Sequence, residues 1–157
     1  KKKNKYNRMS KNKYTGWKML SSRKKFEEAP EEYVGFVYEI LDTETNMRYI
    51  GKKKFWSKVT RPPLKGRKNK RHSLKESDWK DYYGSSEEVK QLVENTGSWR
   101  FERYILRLCK TSGEMSYYEM KEQVERDVLL KPDIYYNAFI GGKIHRSHLG
   151  HLIKKKR

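Results

Sequence analysis

The spacing of apolar residues predicts a β-hairpin at the start of an ordered region that spans residues 33–140. Residues 33–41 are rich in β-branched and aromatic side chains, as a buried strand is. The polar residues 42–46 supply a turn, and residues 47–51 continue as a second short strand. Two such runs joined by a short polar turn predict an antiparallel pair.

The second half of this region has the spacing of two helices and a strand. Ser85 and Ser86 precede two glutamates and then apolar residues at helical intervals, which is typical of a helix start. This first helix is predicted to end near Gly97, because glycine commonly follows a helix. The remaining predicted elements are a third strand at residues 99–108, a second helix at 116–130 and an extended segment at 135–140.

The order β-β-loop-α-β-α predicts an α+β fold. We expect a small, mostly antiparallel, three-stranded sheet flanked by helices. The predicted domain covers residues 33–140. A basic N-terminal arm, residues 1–32, and a basic C-terminal tail, residues 141–157, flank it.

Positive charge is gathered in three blocks of the chain. The protein has 38 Lys and Arg against 20 Asp and Glu, a net charge of +18. Residues 1–25 and 52–75 each hold eleven bases and no acid, and residues 143–157 hold six bases and no acid. The remainder holds all twenty acids and carries −10. Segregation on this scale favours a nucleic acid as partner.

The middle basic block shows no regular periodicity. Pro62, Pro63 and Gly66 interrupt residues 52–76, which excludes one continuous helix or strand. We therefore predict a loop or broken helix that is partly ordered only on a ligand.

Composition excludes several other classes of protein. No run approaches the ~18–20 apolar residues of a membrane-spanning helix, and the basic blocks lack an amphipathic stripe, so no membrane partner is expected. The single cysteine, Cys109, allows neither an intrachain disulfide nor a cysteine-based zinc site. It lies in an apolar run and is predicted to be a buried core thiol. A cytoplasmic location is expected.

The predicted hairpin carries a recognisable motif. Val37-Tyr38, ten residues and then Tyr49-Ile50-Gly51 resembles the signature of the GIY-YIG nuclease superfamily, with Phe36 in place of its first glycine. The resemblance covers about residues 33–140 and is closest to the phage-encoded, freestanding Seg-type homing endonucleases. It rests further on Tyr49-Ile50-Gly51-Lys52-Lys53, Trp79-Lys80-Asp81-Tyr82-Tyr83-Gly84-Ser85-Ser86 and Tyr136-Asn137.

The resemblance implies an active site at the hairpin. Tyr38 and Tyr49 would line it, and one of them would bind or deprotonate the attacking water. Lys53 is the preferred phosphate or water contact, because strand alternation places it on the face of Tyr49. The family's closing asparagine matches Asn137, for which a simple turn role stays open.

Two parts of the family's site are ambiguous in this sequence. The ungapped position of its arginine holds Val59, so Arg61, Arg67 or Arg71 remains to fill that role, and Arg71 is taken as the candidate. The resemblance also implies one metal-binding carboxylate on the second helix, Glu119 or alternatively Glu122. A single carboxylate with several waters suits Mg²⁺ (or Mn²⁺).

The expected function is a magnesium-dependent endonuclease that hydrolyses phosphodiester bonds of double-stranded DNA, such as a phage homing or genome-exclusion nuclease. A non-catalytic nucleic-acid-binding protein on a decayed nuclease fold is the alternative. An RNA-binding basic protein is a third interpretation. The residues expected to contact nucleic acid are Lys52, Lys54, Arg61, Lys65, Arg67, Lys68, Lys70, Ser85 and Ser86.

Overall fold

A computed structural model describes residues 13–141 and residue 151 of the chain. Expectations for the rest of the arm and tail lie outside the described residues. The structure is α+β, as predicted. Its strands are β1 (Trp17–Met19), β2 (Gly35–Asp42), β3 (Arg48–Lys54), β4 (Trp56–Arg61), β5 (Arg71–Glu76) and β6 (Phe101–Cys109), and its helices are α1 (Glu87–Thr96) and α2 (Ser112–Glu125).

The main sheet has four strands in the order β1-β6-β2-β3. The predicted hairpin is confirmed: β2 and β3 pair antiparallel, with Tyr38 opposite Gly51. Strand β6 is the predicted third strand and pairs antiparallel with β2 on the other side. Strand β3 therefore lies at the edge of the sheet, where its outer backbone groups face no neighbouring strand.

The fourth strand, β1, was not predicted. It pairs parallel with β6, and Trp17 is 1% exposed. The Trp17 indole Nε1 donates to the backbone oxygen of Trp79 at 2.6 Å. Three residues are too few for a periodicity signal, and a parallel partner distant in sequence leaves no local signature. The end of the predicted basic arm thus contributes to the core.

The expected loop or broken helix at residues 52–76 is wrong. Strand β3 continues to Lys54, and β4 and β5 then form a separate two-stranded antiparallel sheet, with Arg61 opposite Arg71. The prolines and glycine lie between these two strands, in the turn, where their restricted or permissive backbone is compatible with a hairpin. We call residues 56–76 the basic ribbon.

The two helices follow capping rules. Helix α1 is confirmed, with Ser86 as its N-cap and Gly97 at φ 93° after its last residue. Helix α2 begins four residues before the predicted start, because the Thr111 hydroxyl accepts the backbone N–H of Glu114 at 3.0 Å. Helix α2 ends at Glu125, and the predicted final turns are a separate 3-10 turn at Val128–Leu130.

The segment predicted as extended at residues 135–140 attaches beside the start of β3. Arg48 N–H donates to the Ile134 oxygen at 2.7 Å, and Tyr136 N–H donates to the Arg48 oxygen at 2.8 Å. These contacts form one isolated bridge rather than a strand. They hold Tyr136 and Asn137 against the sheet edge.

The two faces of the sheet are covered differently. On one face, Phe36, Tyr38 and Ile40 belong to an aromatic core that includes Trp17 and Trp79. On the other face, Val37, Cys109 and Met115 pack together under α2. Cys109 is buried, as predicted, and burial raises the pKa of its thiol to about 12. Among the described residues, no helix is both long and apolar enough to cross a bilayer.

A buried ion pair ties the hairpin to β6. The Asp42 carboxylate accepts from Arg100 Nε at 2.8 Å and Nη2 at 2.6 Å, and from the Tyr136 hydroxyl at 2.6 Å. Burial alone would raise the pKa of Asp42, but these hydrogen bonds hold it below the usual value. Asp42 thus connects β2 to the segment that carries Asn137.

Replacing Asp42 by asparagine should cost about 3 kcal/mol of unfolding free energy, because it leaves Arg100 without its charge partner. Since the folded pKa of Asp42 is depressed, its stabilisation is complete above the unfolded pKa of about 3.9 and is lost as pH falls through the folded value. Urea unfolding should therefore show the full cost at neutral pH and a smaller cost below about pH 4. The exposed Asp133, changed to asparagine, is the matched control. Equal, small costs for both variants would contradict this account.

Candidate active site

A pocket of about 460 Å³ opens at the edge of β3. Its walls come from β3, the start of α1, the middle of α2 and the segment after residue 134. Five residues singled out from the sequence line it together: Tyr49, Ser85, Ser86, Glu119 and Asn137. The fold therefore gathers side chains that are up to 88 positions apart in the chain.

Three carboxylates line this pocket, and Glu119 is the most buried of them, since Glu87 and Glu88 in the first turn of α1 are exposed. The Glu119 side chain is 15% exposed, and Lys52 Nζ lies 3.8 Å from its Oε1. Lys52 is held in place by donating to the Ser116 hydroxyl at 2.7 Å. Burial raises the pKa of Glu119, and the attraction of Lys52 offsets only part of that rise. A carboxylate that burial makes costly to ionise gains stability from a bound cation.

The alternative carboxylates of α2 are engaged elsewhere. Glu122 Oε2 accepts from Arg126 Nε at 3.0 Å, and Glu125 pairs with Lys121. Neither lines the pocket, whereas Glu119 does. The geometry thus favours Glu119 over Glu122 as the metal-binding candidate.

The site straddles the edge of the sheet. Tyr49 and Lys53 project from β3 on the side of the aromatic core, while Lys52 projects toward α2 and Glu119. Strand alternation correctly groups Lys53 with Tyr49, but the carboxylate comes from the opposite face. The Glu119 carboxylate and Tyr49 nevertheless line the same pocket, because that pocket opens at the edge of β3, between the two faces.

Tyr49 presents its hydroxyl to the pocket. The hydroxyl is 2.7 Å from the Ser85 hydroxyl, just before α1. Burial raises the pKa of Tyr49, and the charge of Glu119 contributes in the same direction. At neutral pH the phenol is therefore protonated and can donate a hydrogen bond.

Tyr38 lies behind the pocket wall. It is 1% exposed and packs edge-on against Trp17 and Tyr82. Burial, with the neighbouring Tyr82 and Tyr49, holds the pKa of Tyr38 well above its usual value. The two signature tyrosines are adjacent, with ring centroids 6.3 Å apart, but only Tyr49 lines the pocket.

The missing first glycine of the signature has a structural explanation. Phe36, which replaces it, is fully buried in the aromatic core. One position earlier, a Cβ added to Gly35 would overlap the Lys53 carbonyl and the Met115 sulfur. The close approach of the β2 and β3 backbones is therefore served by Gly35.

Gly51 keeps room for the Tyr38 phenol, since a Cβ at this position would overlap its hydroxyl and ring. Gly51→Ala should lower the unfolding free energy by about 1–3 kcal/mol through overpacking. A double-mutant cycle with Tyr38→Leu, measured by urea unfolding, isolates this contact. The cost of Gly51→Ala should largely vanish when the phenol is absent. An unchanged cost in the Tyr38→Leu background would show that the strain comes from elsewhere.

Lys53 is bound at the rim of the site. Its Nζ lies 2.6 Å from Asp78 Oδ1 and 4.0 Å from the centroid of the Tyr82 ring. The Tyr82 ring also packs edge-on against Tyr38, so Lys53 lies next to the tyrosine pair behind the pocket wall. The Asp78 carboxylate is 74% exposed, so the pair is screened by solvent and the ammonium is only weakly held.

Two amide side chains complete the edge of β3. Asn137 accepts the Ile50 N–H at 3.0 Å and donates to the Ile50 oxygen at 2.8 Å. Gln123 also donates to the Ile50 oxygen, at 3.0 Å. Asn137 thus pairs with the Ile50 backbone as a neighbouring strand would, so it orders the sheet edge and is not a simple turn residue. The Gln123 Oε1 atom is buried and has no hydrogen-bond partner among the described residues.

The basic residues predicted to contact nucleic acid lie outside this pocket, with the exception of the serines. Lys52, Lys53 and Lys54 line a second pocket of about 430 Å³ with Lys58 at the root of the basic ribbon. The remaining predicted residues follow on or between the strands of the ribbon. They are Arg61, Lys65, Arg67, Lys68 and Lys70, and Arg71, the candidate for the catalytic arginine, lies on the ribbon as well. Arg71 donates to the Pro62 oxygen at 3.2 Å, and no arginine lines the pocket of Glu119 within the described part of the chain.

Sequence reasoning did not assign Tyr82, Asp78 or Gln123 to the site. Tyr82 lies in the quoted Trp79–Ser86 motif, which was a usable signal. Gln123 lies one helical turn after Glu119 and therefore on the same face, a spacing that was also visible. Asp78 had no signal, because its contact with Lys53 depends on the ribbon bringing residues 53 and 78 together.

Comparisons with known proteins identify the same family that the motif of the β2–β3 hairpin resembles. The family model described as "Putative endonuclease segE, GIY-YIG domain" matches residues 17–140. The "Putative endonuclease segE" of Enterobacteria phage T4 is 32% identical over 108 residues. That match covers 68% of this chain but 42% of the relative, so the chain spans well under half of it. No solved structure matches. The family match begins at Trp17, the first residue of β1.

Proposed function

Because this chain belongs to the GIY-YIG domain family of segE, we propose that it is a divalent-metal-dependent endonuclease acting on double-stranded DNA. The main support for this proposal is the pocket at the edge of β3, which Glu119 lines together with Tyr49 and Ser85. A role as a phage homing or genome-exclusion nuclease belongs to the same proposal. Its support is the phage origin of the T4 relative.

The pocket's donor set fits Mg²⁺ or Mn²⁺. Glu119 supplies a carboxylate, and Gln123, one turn away, has a buried side-chain oxygen that accepts no hydrogen bond from the described part of the chain. Among the described residues there is no cluster of three or more His, Cys, Asp or Glu side chains. Glu119 is the buried one of the pocket's three carboxylates, and one such carboxylate with at most one amide oxygen and several waters suits a hard, hydrated cation. When bound, such a cation neutralises charge that develops on the phosphate and lowers the pKa of bound water.

Tyr49 orients the reacting groups. With its raised pKa, the phenol keeps its proton at neutral pH and can donate to water or to a phosphate oxygen. The Ser85 hydroxyl fixes the direction of the phenol. Tyr38 and Tyr82 support Tyr49 from inside the core and make no contact with the pocket lumen. Tyr49 is thus the proposed catalytic tyrosine, and Tyr38 is a positioning residue.

Lysines bracket the proposed cleavage position. Lys52 lies beside Glu119, and Lys53 is held at the rim by an exposed carboxylate that a phosphate can replace. Cationic side chains at these places stabilise the extra charge of a pentacovalent phosphate. The lysines of the second pocket continue this positive surface toward the basic ribbon.

Replacing Lys52 by methionine should shift the acid limb of the cleavage pH profile. The raised pKa of Glu119 reflects burial that Lys52 partly offsets, so loss of the ammonium raises that pKa further. Metal binding requires the ionised carboxylate, so activity should be lost at a higher pH in Lys52→Met than in the wild type. Lys54→Met, on the same strand but away from Glu119, is the control. Identical acid limbs in all three proteins would sink this assignment.

Plasmid nicking tests the proposed function. Purified protein with Mg²⁺ or Mn²⁺ should convert supercoiled plasmid to open-circular or linear DNA, and EDTA should stop the reaction. A protein that binds plasmid but leaves it intact with either metal would contradict catalysis and identify a binding protein on a nuclease fold. Competition with matched DNA and RNA duplexes checks the substrate, and preference for RNA would overturn it.

A further inference from the structure

The basic ribbon projects from the protein without a packed face. Every side chain of β5 is exposed, and in β4 only Trp56 and Val59 are partly covered. The ribbon is anchored at its root, where Trp56 Nε1 donates to the Tyr33 oxygen at 3.1 Å and Glu76 accepts from Trp79 Nε1 at 2.8 Å. A two-stranded sheet with both faces in water is only marginally stable. A partner that covers it would therefore stabilise it.

The charge of the ribbon specifies the chemistry of that partner. The ribbon contains eight lysines and arginines and a single acid, Glu76, which lies at its root. In the described part of the chain, no acid lies within ion-pair distance of any of these eight bases. Arg61 and Arg71 stand directly opposite each other, which is unfavourable for like charges unless an anion offsets it. The surface is thus complementary to a polyanion.

The dimensions of the ribbon select one groove of a duplex. Two paired strands lie about 5 Å apart, and six residues extend about 20 Å. The major groove of B-DNA, about 12 Å wide, admits such a ribbon without deformation, whereas the minor groove, about 6 Å wide, must first be widened at a cost in DNA deformation energy. The lysine-lined pocket at the ribbon root contains Lys52, which also contacts Glu119. A duplex whose major groove holds the ribbon could therefore extend along these lysines to the pocket of Glu119.

We propose that the basic ribbon enters the DNA major groove and reads bases there, with Arg61 and Arg71 as the specificity-determining residues. Strand register places both arginines on one face, away from Thr60 and His72. A guanidinium pairs with the N7 and O6 atoms of guanine through two hydrogen bonds. The one contact of Arg71 with Pro62 uses one of its five N–H donors. This inference rests on the proposed DNA partner but does not require cleavage.

Selection from duplexes with a randomised centre, followed by dimethyl sulfate interference, tests the proposal. The reagent methylates guanine N7 in the major groove and adenine N3 in the minor groove, so a single experiment separates the grooves. The full chain should enrich guanine-containing sites and should be blocked by N7 methylation at those guanines. Interference at adenine N3 alone, or enrichment of no sequence at all, would overturn the proposal.

Charge-conserving variants separate base reading from phosphate contact. Arg61→Lys with Arg71→Lys keeps the charge but loses paired hydrogen bonding, so the preference for the selected site should fall about tenfold or more. Binding to random duplex and its salt dependence should stay unchanged. Lys65→Ala with Lys68→Ala, in the turn, should weaken binding to random duplex and its salt dependence but leave the preference for the selected site unchanged. Unchanged site preference in the double lysine variant would contradict the assignment.

The outcomes distinguish this proposal from the proposed function. N7 interference by a protein that fails to nick plasmid would support the ribbon and contradict catalysis. Efficient nicking without sequence enrichment would support catalysis and contradict the ribbon. Equal affinity for RNA duplexes, whose major groove is too narrow to enter, would also contradict the ribbon.

Discussion

Glu119→Gln should bind duplex DNA like the wild type and leave it uncut. Glutamine keeps the size of the side chain and removes the charge that would hold a divalent cation in the pocket. Metal assistance contributes several kcal/mol to phosphoryl transfer, and each 1.36 kcal/mol is a factor of ten. Single-turnover cleavage should therefore fall by roughly 10³-fold or more.

Glu122→Gln is the matched control for this experiment. Glu122 lies on the same helix and is paired with Arg126, outside the pocket. Its change should leave cleavage within a few-fold of wild type. Thermal unfolding of both variants shows whether either loss comes from misfolding. Equal cleavage by wild type and Glu119→Gln would refute the metal assignment, and selective loss in Glu122→Gln would transfer it to that residue.

Tyr49→Phe should lower the single-turnover rate by roughly 10²–10³-fold while DNA affinity changes little. The substitution removes one hydroxyl and keeps the ring that packs beside Tyr38. The loss would come from the hydrogen bond that the phenol makes in the transition state. Rates at saturating enzyme, with and without the substitution, measure this effect.

Ser85→Ala provides the comparison for Tyr49→Phe. It removes the partner of the Tyr49 hydroxyl at 2.7 Å but leaves the hydroxyl itself. The rate should fall only a few-fold, because the phenol loses orientation and keeps its donor. A larger effect for Ser85→Ala than for Tyr49→Phe would make the serine the reacting group and the tyrosine its support.

Local patterns were sufficient for the hairpin and for most of the pocket. The strand pattern around Tyr38 and Tyr49, the cap at Ser86 and the helix that carries Glu119 all follow from short-range rules. These elements place five of the predicted residues in one cavity. The choice between Glu119 and Glu122 required the structure, because Arg126 becomes the partner of Glu122 through a short ion pair that the sequence permits but does not impose.

Long-range pairing accounts for what the sequence analysis missed. Strand β1 exists because Trp17 fits beside β6 and under the Trp79 backbone, contacts that span 62 positions or more in the chain. The basic ribbon has the sequence of a loop, because Pro62, Pro63 and Gly66 interrupt regular structure as well in a loop as in the turn of a hairpin. Its exposed strands also lack the apolar alternation that marks a half-buried strand.

A cation bound by Glu119 should meet the Tyr49 hydroxyl in the pocket at the edge of β3. Anomalous diffraction from crystals of the wild-type protein with Mn²⁺ and duplex DNA locates the bound cation directly. The account predicts one strong peak within bonding distance of the Glu119 carboxylate and beside a DNA phosphate. A peak at another position next to the cleaved phosphate, with Glu119 unligated, would contradict it.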